Sequence, residues 1–217
     1  MILNKLYRRI LKCISDISRR RGKESLVLLL VALDRTFKTK LEKGKIFEIL
    51  VKNCMIDYGY EVDNVPLEYQ HKGDLYLTDT LTGESFYLEV KRDTYIAATH
   101  NMYIELTIDR KGKLYDGWYH YDYSKIAVVD ASPKSQNTQD HKSIYIIDWQ
   151  RMKEELNLND SRCRQISHSV DENRNTALLV PLRYIIARGW LLDEYYYNAD
   201  DWKQAYSKYK ELQQIGA

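Results

Sequence analysis

Residues Phe86-Tyr87-Leu88-Glu89-Val90-Lys91 form a β-prone run with apolar side chains at alternate positions. Side chains alternate between the two faces of a strand, so Phe86, Leu88 and Val90 can face a core. Glu89 and Lys91 then project together from the other face. Asp74 lies fifteen positions before Glu89, at the start of another strand-like run, and Thr82-Gly83-Glu84 between them has the residues of a hairpin turn. Cross-strand pairing in such a hairpin brings Asp74 near Glu89. Two carboxylates can share a hard divalent cation such as Mg²⁺, which takes oxygen ligands, keeps several waters and completes its shell with phosphate. Such an ion lowers the pKa of an attacking water and neutralises charge on phosphate oxygens. A lysine beside it can stabilise the same charge or orient the water. The chemistry that fits this set is phosphodiester cleavage.

The elements that must hold these residues are legible as changes of period. Ile46, Phe47, Leu50, Val51, Cys54 and Met55 fall on one arc of a helix predicted from about Lys45 to Tyr58 and ending near Gly59. Glu48 lies at the edge of that arc. Tyr60 to Val62, Asp74 to Leu77 and Phe86 to Lys91 are short strand candidates, followed by Met102 to Ile108, Ile126 to Asp130 and Ile144 to Asp148. Ser132 to Asn137 reads as a polar loop. A helix is expected from Trp149 to about Leu156 and another from Asp200 to Gln214, while 157–176 is polar and shows no period. Before all of these, residues 2–20 and about 24–36 read as two helices joined at Arg19-Arg20-Arg21-Gly22. Helices before and after a small sheet give an α/β layer arrangement.

These positions resemble the PD-(D/E)XK nuclease superfamily. Its core is a helix with a Glu, a strand with an Asp and a strand with (D/E)-x-K. Glu48, Gly73-Asp74 and Glu89-Val90-Lys91 match in order and spacing, with Gly73 where the motif's name has Pro. Asn101 to Glu105 followed by Gly117-Trp118 is similar to phage-type members. The resemblance implies a restriction-endonuclease-like fold: a mixed central β-sheet flanked by helices, here with an N-terminal helical extension (1–43) ahead of a nuclease domain (44–217). It implies that Glu48, Asp74 and Glu89, with the Val90 carbonyl as a further ligand, hold Mg²⁺, for which Mn²⁺ can substitute. Lys91 would act on the nucleophile or transition state, and Glu105 is a candidate supporting acid. DNA is the implied substrate. The alternative on the same fold is a catalytically silent nucleic-acid-binding or assembly module.

Composition agrees with a folded protein: of 217 residues, 44% are hydrophobic and 29% charged. The longest apolar run, Leu26 to Leu33, is far short of the roughly 20 residues a membrane span needs, and no secretory signal is recognisable, so an intracellular, cytoplasmic protein is expected. Cys13, Cys54 and Cys163 have no metal-ligand or disulfide spacing and read as reduced, buried thiols. Residues 1–45 carry 13 Lys and Arg against 4 Asp and Glu, a net +9, and the remainder carries 20 against 27, a net −7. Arg19, Arg20 and Arg21, with Lys72 and Arg92 near the motif, are therefore the candidate phosphate contacts. Among 19 tyrosines and 4 tryptophans, the cluster Tyr115, Trp118, Tyr119, Tyr121 and Tyr123 is the candidate for base stacking. A homodimer would supply the two active centres that cutting two strands needs.

Overall fold

The structure, a computed structural model, describes residues 41–132, 141–170 and 173–215. The predicted helices at 2–20 and 24–36, Arg19, Arg20, Arg21, Cys13 and most of the loop after Ser132 lie outside them. The chain divides into two compact units, Met1–Gly44 and Lys45–Ala217, and both β-sheets belong to the second.

Helix α1 covers residues 41–57 of the described chain. It buries Ile46, Phe47, Leu50, Val51, Cys54 and Met55, the arc its sequence spacing dictates. It stops where Gly59 takes φ +92° and donates to the Ile56 carbonyl at 3.0 Å, a conformation that costs glycine little. Three antiparallel strands follow: β1 (Tyr60–Asn64), β2 (Leu75–Asp79) and β3 (Ser85–Asp93). The β2–β3 turn is tied by Asp79, whose Oδ1 accepts from the backbone N–H groups of Leu81 and Thr82 at 2.8 and 3.2 Å.

From β3 the chain crosses over through α2 (Ile96–Thr99), β4 (Asn101–Arg110) and β5 (Lys113–Asp116), then returns as β6 (Lys125–Asp130), parallel to β3. β7 (Lys142–Asp148), α3 (Trp149–Glu155), β8 (Arg164–Val170), β9 (Asn173–Pro181), α4 (Leu182–Ala187), β10 (Leu191–Tyr197) and α5 (Ala199–Ile215) complete the chain. The result is an α/β fold with a mixed six-stranded sheet, in the order β1-β2-β3-β6-β7-β10, and an antiparallel four-stranded sheet, β5-β4-β9-β8.

Alternation along β6 and β7 sorts the interior into two cores. Ala127, Val129, Ile144 and Ile146 face α1 and α5, where Phe47 and Trp202 meet with ring centroids 4.8 Å apart. Ile126, Val128 and Ile147 face Met102, Ile104 and Leu106 of β4, Leu178 and Val180 of β9, and the aromatics Trp149 and Trp190. The second sheet, which the sequence did not predict, therefore packs on the face of the large sheet opposite α1 and α5. Among the described residues no helix is long and apolar enough to cross a membrane.

Candidate active site

Asp74 sits one residue before β2, directly across from Glu89, since Leu75 pairs with Leu88. Its backbone is held on both sides: the N–H donates to the Leu88 carbonyl at 3.0 Å and the carbonyl accepts from Val65 at 3.2 Å. Its side chain turns inward and Oδ2 accepts from the Val90 N–H at 2.9 Å. Gly73 makes this approach feasible. A Cβ there would lie 3.0 Å from the backbone C and O of Leu88, and the residue has φ +153°. Proline, locked near −65°, cannot adopt that backbone, which accounts for glycine at this position.

On β3, Leu88 belongs to the core beneath α1, with Phe86 and Val90 packed partly against it, as alternation requires. Glu89 and Lys91 emerge on the opposite face, but Glu89 is only 8% exposed. The two side chains form an ion pair. The Lys91 ammonium stands 5.3 Å from the centre of the Tyr123 ring and 5.7 Å from that of Trp118, within cation–π range. The Tyr123 hydroxyl lies near enough to the Glu89 carboxylate to favour its charged form.

This aromatic wall exists because the crossover returns tightly. A Cβ on Gly117 would fall 2.2 Å from the Glu105 carbonyl oxygen, so only glycine lets the chain lie against β4 there, where its N–H donates to Leu106 at 2.8 Å. Trp118 then packs against Trp149, with ring centroids 4.9 Å apart and planes tilted by 43°. Residues 121–124 are fixed by Trp149, whose Nε1 donates to Tyr121 and whose backbone donates to Ser124, each at 3.2 Å. Ser124 Oγ in turn donates to the Tyr87 carbonyl at 2.8 Å. Tyr123 and Trp118 are thus site residues that the motif alone does not indicate; the clustered aromatics after Gly117 were the signal that could have found them.

Glu48 comes from α1, where its Oε2 accepts from Lys45 Nζ at 2.5 Å. Burial raises its pKa, the charge of Asp74 adds to the rise, and the hydrogen bond and charge of Lys45 oppose it. Burial also lifts Glu89, to about 7: Lys91 opposes this, Asp74 reinforces it, and the hydrogen bond from Lys91 and the Tyr123 hydroxyl pull it down. Asp74 is therefore close enough to act electrostatically on both other acids. All the candidate donors are oxygens, which suits a hard divalent cation. As the side chains stand, however, no group of three or more His, Cys, Asp or Glu residues among those described is spaced to hold a metal ion. Glu48 and Glu89 are each engaged with a lysine and would have to turn from it to ligate.

The remaining candidates are dispersed. Glu105 is on the four-stranded sheet, where Asn175 Nδ2 donates to it at 2.9 Å. Lys72 lies in the loop before Asp74, and Arg92 is exposed near the end of β3. Tyr123 is buried, and Trp118 and Tyr119 pack partly into the second core, so the proposed stacking cluster is mainly structural. Cys54 is a buried free thiol and Cys163 a half-buried one.

The chain matches no family model, no curated protein and no solved structure. A functional reading therefore rests on the residues and their geometry.

Proposed function

We propose that this chain is a Mg²⁺-dependent nuclease of the PD-(D/E)XK type that hydrolyses phosphodiester bonds in DNA. The observation that carries this reading is the register of β2 and β3, which sets Asp74 opposite Glu89 with Lys91 on the same face of the strand, while the charge of Asp74 also acts on Glu48 of α1. The order helix, Asp-bearing strand, E-x-K strand is that of a restriction-endonuclease-like core.

A bound divalent ion would supply an acidified water and charge neutralisation at the scissile phosphate. Glu48, Asp74 and Glu89 are the residues that would hold it. The Val90 N–H fixes one carboxylate oxygen of Asp74 and leaves the other for a ligand. Lys91, released from Glu89, carries the positive charge that stabilises the developing phosphorane charge or orients the nucleophile. Tyr123 and Trp118 hold that ammonium against their rings, which limits the conformations it must sample.

One observation favours a second reading, a nucleic-acid-binding or assembly module that does not cleave: Lys45 and Lys91 already neutralise Glu48 and Glu89 in place. Labelled duplex, branched and single-stranded DNA, incubated with Mg²⁺, Mn²⁺ or excess EDTA, separates the two. The nuclease reading expects cleavage with either metal, none in EDTA, and a loss of about 10²–10³-fold in Lys91→Ala with affinity kept within a few fold. Cleavage in EDTA, or full turnover in Lys91→Ala, overturns the mechanism; binding without cleavage of any substrate selects the silent module.

A further inference from the structure

Strands β1 to β3 present, on the face that carries Glu89, a surface that belongs to neither hydrophobic core among the described residues. Tyr76 and Tyr87 are register neighbours there, half-buried, with ring centroids 4.9 Å apart and planes tilted by 54°. Lys72 extends over this surface, its ammonium 5.2 Å from the Tyr87 ring centre and 5.5 Å from that of Tyr69, and Tyr69 is 46% exposed. Aromatic rings left side by side at a surface forgo burial free energy that a core position would give them.

We infer that Tyr87, Tyr76 and Tyr69, with Lys72 between them, form a platform that binds an unpaired segment of DNA and leads its backbone to the Glu89–Lys91 centre. The inference rests on the nuclease reading for what happens at that centre, and it names the substrate class. Three features select this occupant. Only an unpaired strand offers base faces to aromatic rings, since a duplex keeps them stacked inside. A cation held between the rings matches an alternation of bases and phosphates, and Lys91 continues that charge along β3. The exposed acids Glu61 and Asp63 border the platform on β1, with Asp63 directly across from Tyr76, so phosphates are repelled from the outer edge and the path runs along β3.

The chain also sets the distance. Tyr87 and Glu89 share a face two residues apart, a rise of about 6.6–6.8 Å, or roughly two stacked steps of 3.4 Å. A base on Tyr87 therefore lies within one or two nucleotides of a phosphate at Glu89. Lys72 is likewise two residues before Asp74, so ring, cation and acids are joined by short, ordered backbone.

The test is fluorescence anisotropy in EDTA, where no cleavage intervenes, with a 20-nucleotide oligothymidylate and with a 20-base-pair duplex. The parent protein is expected to bind the single strand more tightly. Tyr87→Leu and Tyr76→Leu should each weaken it by about 5- to 150-fold, whereas Tyr87→Phe, which keeps the ring and controls for folding, should match the parent. Lys72→Met should reduce the slope of affinity against salt by about one. Equal affinity for both DNAs, or Leu variants that bind the oligonucleotide like the parent, overturns the platform even if duplex DNA is cleaved. Single-strand binding lost in the Leu variants, in a protein that cleaves nothing, leaves the platform standing and overturns the nuclease reading alone.

Discussion

Strand β3 carries two buried carboxylates, Glu89 at its middle and Asp93 at its end, and they are built in opposite ways. Asp93 is 7% exposed and Glu89 8%, and burial is the main cause of a raised pKa in both. Asp93 is saturated by the backbone: Oδ1 accepts from Tyr95 and Ile96 at 2.8 and 3.0 Å and Oδ2 from Tyr103 at 3.1 Å. It ties down the chain entering α2 and staples the start of β4 to the end of β3. Glu89 is met by a side-chain ammonium and a phenol, partners that can move. A perturbed pKa in a buried acid does not by itself mark a reactive group; the kind of partner separates a structural acid from one free to do chemistry.

The largest expected effects break this comparison from both ends. Asp93→Ala leaves the N–H groups of Tyr95, Ile96 and Tyr103 without their acceptor, the one at Ile96 fully buried, and a buried orphan costs about 1–3 kcal/mol, so thermal melting should show a loss of at least that size, while activity per folded molecule below the melt is kept. Glu89→Gln should do the reverse, abolishing cleavage with little cost in stability. It should also change how stability depends on pH in EDTA. In the folded parent Glu89 holds its proton up to about pH 7, whereas the unfolded chain releases it near 4.3. The folded state therefore binds more protons across this window, and stability falls as pH rises through it, by at most about 4 kcal/mol. Glu89→Gln should lack that decline. A parallel pH profile in parent and variant would show that Glu89 titrates normally.

The same contrast explains what was readable in the sequence. α1, the β2–β3 hairpin and α5 are local amphipathic patterns with clear stops, and the order Glu48, Asp74, Glu89, Lys91 follows from them. The four-stranded sheet is not local. Arg164–Val170 and Asn173–Pro181 pair with each other, and the latter with β4 some seventy residues earlier, so no period within 157–176 reveals them. In β10 a register irregularity between Leu191 and Asp193 breaks the alternation that would have marked a strand. The contact of Trp118 and Tyr123 with Lys91 depends on a backbone approach at Gly117 that sequence spacing cannot convey.

A smaller effect sharpens the assignment of Asp74, which touches both neighbouring acids electrostatically. Like charges at roughly 4 Å repel by up to about 4 kcal/mol at an effective dielectric near 20, so removing one relieves the metal-free protein. Asp74→Asn should raise its melting temperature in EDTA. If Mg²⁺ binds only the folded parent, it adds about 2.7 kcal/mol at 100 times its dissociation constant, and Asp74→Asn should lose most of that gain. Melting curves of both proteins in EDTA and in millimolar Mg²⁺ decide it; equal Mg²⁺ shifts would remove Asp74 from the ligand set.

The smallest effect isolates the phenol that distinguishes Glu89 from Asp93. The Tyr123 hydroxyl acts on Glu89 to favour the charged carboxylate, and its ring faces Lys91. Tyr123→Phe removes the hydroxyl and keeps the ring. Glu89 should then ionise at still higher pH, because the hydroxyl that lowers its pKa is gone while burial remains. Cleavage needs Glu89 charged to hold a metal, so the acidic limb of the pH–rate profile should move to higher pH, with the rate above that limb changed by less than about tenfold, in keeping with the 1–1.5 kcal/mol of one hydrogen bond. Tyr123→Leu removes the ring as well and should lower the rate at every pH, since Lys91 loses its aromatic support. If Phe and Leu variants share the parent's acidic limb, the hydroxyl does not act on Glu89 and Tyr123 is a packing residue of the second core.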